Sequence, residues 1–221
     1  MAKAGPRRAA AGAGERARSA ETRAALIEGA IEALRTAGFA GASAREIARR
    51  AGCNQTLIFY HFGSVTDLLL AALDEVSSRR MAAYRDLLAG ATSATALAAA
   101  ARDILTADLD AGYVRVLIEM MTAAHSVPGL GEQVAERLQP WRELTEQAIR
   151  RALGKSAAAR LIPPAEAARA LVAGFLGLEL LASLDGDRTS ALAVLARAGS
   201  VARLLDLLGG LRLPGGGREG R

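Results

Sequence analysis

Residues Ser43 to Phe62 read SAREIARRAGCNQTLIFYHF, and the reading of this stretch decides the fold. Ser43 is placed to cap a helix, and Glu46 three residues on can reach back to the Ser43 amide, which together make a capping box. Ile47, Ala48 and Ala51 then fall on one buried stripe. Gly52 supplies the left-handed backbone that ends this helix, and Asn54 stands where it can cap a second one. On the second helix Ile58 and Phe62, four residues apart, turn inward with Cys53 nearby, leaving Gln55, Thr56, Tyr60 and His61 on or near the outer side. Two short helices joined at a glycine, the second with a polar and aromatic flank, outline a helix-turn-helix and point to DNA.

The flanking residues supply what such a pair needs in order to fold. Upstream, Leu26, Ile27, Ala30, Ile31 and Leu34 recur at helical spacing within a segment from about 20 to 37 that ends at Gly38, predicting a third helix for the pair to pack against. Downstream, Gly63 punctuates, and Ser64 with Asp67 repeats the capping-box pattern at the head of a long helix from Val65 towards Leu88.

Over roughly Glu21 to Val76, in the order TRAALIEGAIEALRTAGFAGASAREIARRAGCNQTLIFYHFGSVTDLLLAAL, the chain resembles the N-terminal domain of the tetracycline-repressor-like (TetR) family of bacterial transcription regulators. The resemblance implies an all-α fold: a three-helix helix-turn-helix domain followed by a helical ligand-binding and dimerisation domain. It makes Gln55, Thr56, Tyr60 and His61 the recognition-helix contacts, with Asn54 at the head of that helix and Ser43 and Arg45 touching phosphates. Two positions depart from the pattern. Leu57 stands where the family usually has threonine and Val65 where it usually has lysine, which removes two common phosphate contacts. Leu57 could instead meet a thymine methyl group.

Charge supports the same reading independently. Residues 1 to 62 hold 10 Lys or Arg against 5 Glu, a net of +5, whereas residues 63 to 221 balance 18 basic against 18 acidic. A basic N-terminal part attracts the phosphate backbone, and base-edge contacts then add selectivity. The first 19 residues, with Lys3, Arg7, Arg8, Arg16 and Arg18 among alanine and glycine, read as a basic tail that does not fold.

The expected organisation is therefore a tail (1–19), a DNA-binding domain (20–64, motif 43–62), a helical effector-binding and dimerisation domain (65–211) and a flexible C-terminal tail (212–221). Within the larger domain, helices are expected at about 65–89, 94–110, 112–125, 130–153, 164–184 and 188–208. A single cysteine, Cys53, excludes an internal disulfide. The first twenty residues lack the apolar run of a secretory signal. The most apolar stretch, Leu171 to Leu184, is too short to span a bilayer and contains Glu179. A cytoplasmic location with no membrane partner is expected.

The last two helices carry Leu171, Val172, Phe175, Leu178, Leu181, Leu192, Leu195, Val201, Leu204 and Leu205 over more than one face, which predicts burial against a second copy as a four-helix bundle. A two-fold dimer of this kind would call for a palindromic double-stranded operator. The few large aromatics and methionines cluster in the segments where the family keeps its effector cavity. Tyr84, Tyr113, Leu117, Met120, Met121, His125, Trp141, Phe175 and Glu179 are the candidates to surround a small hydrophobic ligand. No HExxH, GxGxxG or P-loop occurs, so no catalytic residue, cofactor or metal is expected. The competing classes are an architectural DNA-binding protein without sequence preference and a helical enzyme.

Overall fold

The structure is a computed structural model that describes residues 6–154 and 163–210. Among these residues there is helix and no strand. In chain order the helices are α1 (Pro6–Gly41), α2 (Ala44–Ala51), α3 (Thr56–Phe62), α4 (Val65–Ala89), α5 (Ala94–Ala111), α6 (Val114–Ala123), α7 (Leu130–Arg137), α8 (Gln139–Leu153), α9 (Pro164–Asp185) and α10 (Arg188–Gly210). They form two compact units, Met1–Ser78 with Arg115–Val134, and Arg79–Val114 with Ala135–Arg221.

This division differs from a cut at residue 64. Leu68, Leu69, Leu70, Ala72, Leu73 and Val76 on the first half of α4 are almost free of solvent, so that half belongs to the core of the first unit. The segment from Arg115 to Val134 joins the same unit, and a hydrogen bond shows one reason why. Gly38 interrupts α1 at φ 71°, ψ −179°, a region open essentially to glycine alone. The break frees the Phe39 N–H, which donates to Glu119 Oε2 on α6 at 2.9 Å. A Cβ at position 38 would lie 2.8 Å from that same oxygen.

Inside the first unit α1 and α2 approach closely at Gly29, where a Cβ would meet the Ile47 carbonyl oxygen at 2.9 Å and the Ala51 Cβ at 3.2 Å. Leu26, Ala30, Leu34, Ile47 and Ile58 are fully buried. At about 25 cal/mol per Å² of apolar surface removed from water, such residues carry most of the driving force for this small bundle.

Several expectations need correction. Residues 6–19 belong to α1 and are not a structureless tail. Alanine and arginine are strong helix formers, and Pro6 fits a first turn, so the helix extends although residues 15–21 are exposed. The single helix expected over 130–153 is two, separated at Leu138. Pro140 sits in the first turn of α8, where it has no N–H to continue the preceding turn. The stretch judged too short for a bilayer is part of a 22-residue helix that is long and apolar enough to cross one by length and composition alone. Its Glu179 is fully buried and ion-paired within the second unit, as in the core helix of a helical body. The C-terminal tail expected at 212–221 lies outside the described residues.

The second unit packs Tyr84, Leu88, Ala100, Ile104 and Ala148 with the half-buried Leu97, Trp141, Leu144 and Phe175. Leu105, Ala182, Ala191 and Leu195 form a neighbouring cluster. Asp206 on α10 accepts hydrogen bonds from the Ala94 and Thr95 amides, both at 2.9 Å. With Ser93 Oγ on the Ala96 amide, it satisfies the donors left open at the start of α5.

Candidate functional sites

The recognition helix α3 is positioned from both ends. Ser43 Oγ accepts from the Glu46 amide at 3.3 Å, which starts α2, and Gly52 ends it in the left-handed region at φ 64°. The reciprocal half of the capping box is not made. The Glu46 carboxylate turns instead to Arg49, at 2.9 and 2.7 Å, and to Arg50 at 2.6 Å. Those hydrogen bonds hold its pKa at about 2. Asn54 Oδ1 accepts from both the amide and the hydroxyl of Thr56 at 3.0 Å, so Asn54 caps α3 as expected from its position.

Ile58 anchors α3 with no exposed surface. Around it Gln55 and Thr56 are exposed and Tyr60 is 79% exposed, while Leu57 and His61 are half-buried. The His61 ring stands edge-on to Tyr60 with centroids 4.9 Å apart. Phe62 is half-buried, with the Arg23 guanidinium 5.0 Å from its ring centroid. Ser43 and Arg45 are exposed at the head of α2. The polar side chains read from the sequence thus lie outward on α3, with the exposed head of α2 beside them in sequence. One neighbour was missed. Phe59 is 53% exposed, and the inward placement of Ile58 and Phe62 already implied that position 59, one step of about 100° onward, faces out.

A buried hydrophobic anchor, an outward polar flank and a capped glycine turn are the parts of a helix that enters a major groove. Residues 26–72 match the profile of the bacterial regulatory proteins of the tetR family. The N-terminal domain is a TetR-family domain. An HTH-type transcriptional regulator of Mycobacterium tuberculosis is 33% identical over 123 residues, covering 55% of this chain and 60% of that protein's length. A solved structure of a TetR-family member from Streptomyces coelicolor shares 28% identity, covers 80% of this chain and 97% of its own, and superposes with a TM-score of 0.60. The fatty acid degradation regulator of Bacillus halodurans superposes with a TM-score of 0.64 at 20% identity, over 85% of this chain and 98% of that one. That likeness speaks for the fold alone. The relation thus reaches past the TetR-family domain into the helices that follow.

The residues proposed from the sequence to surround an effector fall into two groups. Tyr84, Trp141 and Phe175 meet in the hydrophobic cluster of the second unit, and Glu179 is buried in the same unit without exposed surface. Tyr113, half-buried, also belongs there. Leu117, Met120, Met121 and His125 belong to the first unit. Leu117 and Met120 are buried in it, whereas Met121 and His125 are exposed.

Beside the aromatic cluster lies a charged one that the sequence reading missed in part. Arg80 Nε donates to Asp108 Oδ1 at 2.9 Å, and its Nη2 completes the pair on Oδ2. The same Nη2 reaches Glu179 Oε1 at 3.3 Å. The Tyr84 hydroxyl donates to Asp108 Oδ1 at 2.8 Å, and the Arg80 guanidinium lies 5.1 Å from the Trp141 ring centroid. Burial pushes the Glu179 carboxyl up to about 9. Arg80 opposes the rise, while the charge of Asp108 and a hydrogen bond to it add to the rise. Burial works against the Arg80 charge, but the hydrogen bond to Asp108 and the attraction of the neighbouring acids outweigh it and raise its pKa above the ordinary value. Arg80 and Asp108 gave a faint signal in the sequence, as ionisable residues four positions from Tyr84 and Ile104 on otherwise apolar helix faces.

Proposed function

We propose that the chain is a dimeric, sequence-specific transcriptional repressor that a small hydrophobic ligand releases from its operator. The observation that carries the DNA part is the outward flank of α3, with Gln55, Thr56 and Tyr60 exposed around the buried Ile58, in a domain of a family of bacterial regulatory proteins. Gln55, Thr56, Tyr60 and His61 read base edges, with Leu57 and Phe59 offering apolar contact to thymine methyl groups. Ser43 and Arg45 hold phosphates and set the register. Such a protein works beside the chromosome in the cytoplasm.

Dimerisation is supported by exposed apolar side chains on the last two helices. Leu181 is 58% exposed, Leu184 74%, Val201 61%, Leu204 55% and Leu207 70%. Exposed apolar side chains of this kind are buried most economically against a second copy of the chain. Two recognition helices related by a two-fold axis then meet half-sites roughly 34 Å apart on a palindromic operator. The continuous α4 of 25 residues, about 37 Å long at 1.5 Å per residue, joins the DNA-binding domain to the rest of the chain. A ligand that prefers a different spread of the two heads shifts the population away from the DNA-bound form.

A competition shift assay tests the first part. The protein should prefer a duplex from its own upstream region over random DNA by at least about a thousandfold at constant salt. Equal affinity for both makes it an architectural binder. Sedimentation tests the second: Leu181→Glu with Leu204→Glu should convert a dimer to a monomer. Screening apolar compounds for release of the bound duplex tests the third.

A further inference from the structure

A row of side chains joins the outward flank of α3 to the surface of α1. Tyr60 stands edge-on to His61 with centroids 4.9 Å apart, His61 stands edge-on to Phe62 at 6.4 Å, and the Arg23 guanidinium lies 5.0 Å from the Phe62 ring centroid. Tyr60 and Arg23 are exposed at the two ends of this row, with His61 and Phe62 half-buried between them. The surface of α1 at Arg23 is therefore continuous with the flank assigned above to base edges, and it lies beside the C-terminal end of α3.

Helix α1 does not begin there. It extends back to Pro6, and two turns before Arg23, on the same side, stands Arg16. Arg16, Ser19, Ala20 and Arg23 make one strip, all of them exposed, about 10 Å long at 1.5 Å per residue. Only short side chains separate the two guanidinium groups, so a chain of phosphates can approach the helix between them. Neither arginine forms an ion pair among the described residues. Glu15 lies about a quarter-turn round the helix from the strip, and Glu21 and Arg18 lie on its far side. An exposed, acid-free strip of cations that continues a DNA-reading flank fits the sugar-phosphate backbone of the same duplex.

We propose that the strip from Arg16 to Arg23 on α1 is a second DNA contact, which holds phosphates of the duplex that α3 reads. The proposal rests on the operator reading above and gives that complex a contact outside the helix-turn-helix. Arg23, set against Phe62, takes a phosphate beside the groove that α3 enters, and Arg16 takes one farther along α1. Such contacts carry no sequence information. They add the same affinity to operator and to random duplex, and they make both more sensitive to salt because each neutralised phosphate releases counterions.

The test is fluorescence-anisotropy titration of the full chain with a duplex from its own upstream region and with a random duplex of equal length, at about 50 to 200 mM salt. Arg16→Gln should weaken both by the same factor, about three- to tenfold, and should lower the steepness of log K against log salt by about 0.9. Adding Arg23→Gln should bring the total fall in steepness to about 1.8. Arg18→Gln removes the same charge from the far side of the helix and should leave both affinities within about twofold, with the steepness unchanged. Arg16 and Arg18 are exposed and glutamine is a good helix former, so neither change should move the unfolding midpoint. An unchanged salt dependence in Arg16→Gln, a loss confined to the operator, or equal losses from Arg16→Gln and Arg18→Gln would each overturn the proposal while leaving the operator reading standing. A wild-type chain that binds neither duplex at low salt ends both.

Discussion

Helices α3 (Thr56–Phe62) and α9 (Pro164–Asp185) are built on opposite plans. In α3 the aliphatic Ile58 is fully buried, while Gln55 just before the helix, Thr56 and Tyr60 face water. In α9 the acidic Glu179 is fully buried, while Leu180, Leu181 and Leu184 are exposed. The first arrangement is stable as it stands, because the hydrophobic effect places each side chain where it lies. The second is unfavourable twice over in a lone chain. It exposes apolar surface, and it removes a carboxyl group from water at a cost only partly offset by Arg80. Arg80 and Asp108 offset part of the cost of the buried acid, and the exposed leucines are the surface on which the proposed dimer rests.

The largest expected effect probes the buried charge. Asp108→Asn leaves the Arg80 guanidinium without its paired carboxylate and should cost about 3–5 kcal/mol of stability, read as a lowered midpoint in denaturant unfolding. An unchanged midpoint would mean that the cluster is far better solvated than its geometry implies. Next comes the tight approach in the first unit. Gly29→Ala pushes a methyl group to 2.9 Å from the Ile47 carbonyl oxygen and should cost about 1–3 kcal/mol, with a matching loss of helical signal on heating.

Tyr60→Ala should leave stability within about 0.5 kcal/mol, as for an exposed side chain, while weakening operator binding by roughly 5- to 100-fold. A loss of fold instead would show that Tyr60 is structural and that the contrast between α3 and α9 is misdrawn. The smallest effect belongs to Glu46. Its pKa is depressed to about 2 by Arg49 and Arg50, so its contribution is present above the usual carboxylate range, near 4.5, and is lost as pH falls towards 2. Glu46→Gln should flatten that part of the acid-unfolding curve and leave the neutral range nearly unchanged. For Glu179 the sign is reversed. Its pKa is raised to about 9, so the folded state holds the extra proton and stability declines as pH rises from 4.5 towards 9. Glu179→Gln should remove that slope.

The DNA-binding domain was legible because its signals are local. Capping by Ser43, Asn54 and Ser64 depends on residues two or three positions away, and the inward spacing of Ile58 and Phe62 is a matter of helical period. What remained hidden was the consequence of long-range contact. Glu119 closes the break at Gly38 from 80 residues away, which draws α6 into the first unit. Arg80, Asp108 and Glu179 come from three helices, and the 99 positions between Arg80 and Glu179 carry no mark of their meeting.

By itself the amino-acid order determined that the chain is helical, where its turns fall, which flank of α3 is hydrophilic and that the basic excess lies at the N-terminal end. Only tertiary structure decided which helices share a core, that Glu119 meets the break in α1 at Gly38, and that Asp108 and Glu179 gather around Arg80. The reason is one of range. Periodicity and capping act over a single turn and can be read along the chain, whereas desolvation and ion pairing depend on what other segments bring to the same few ångströms.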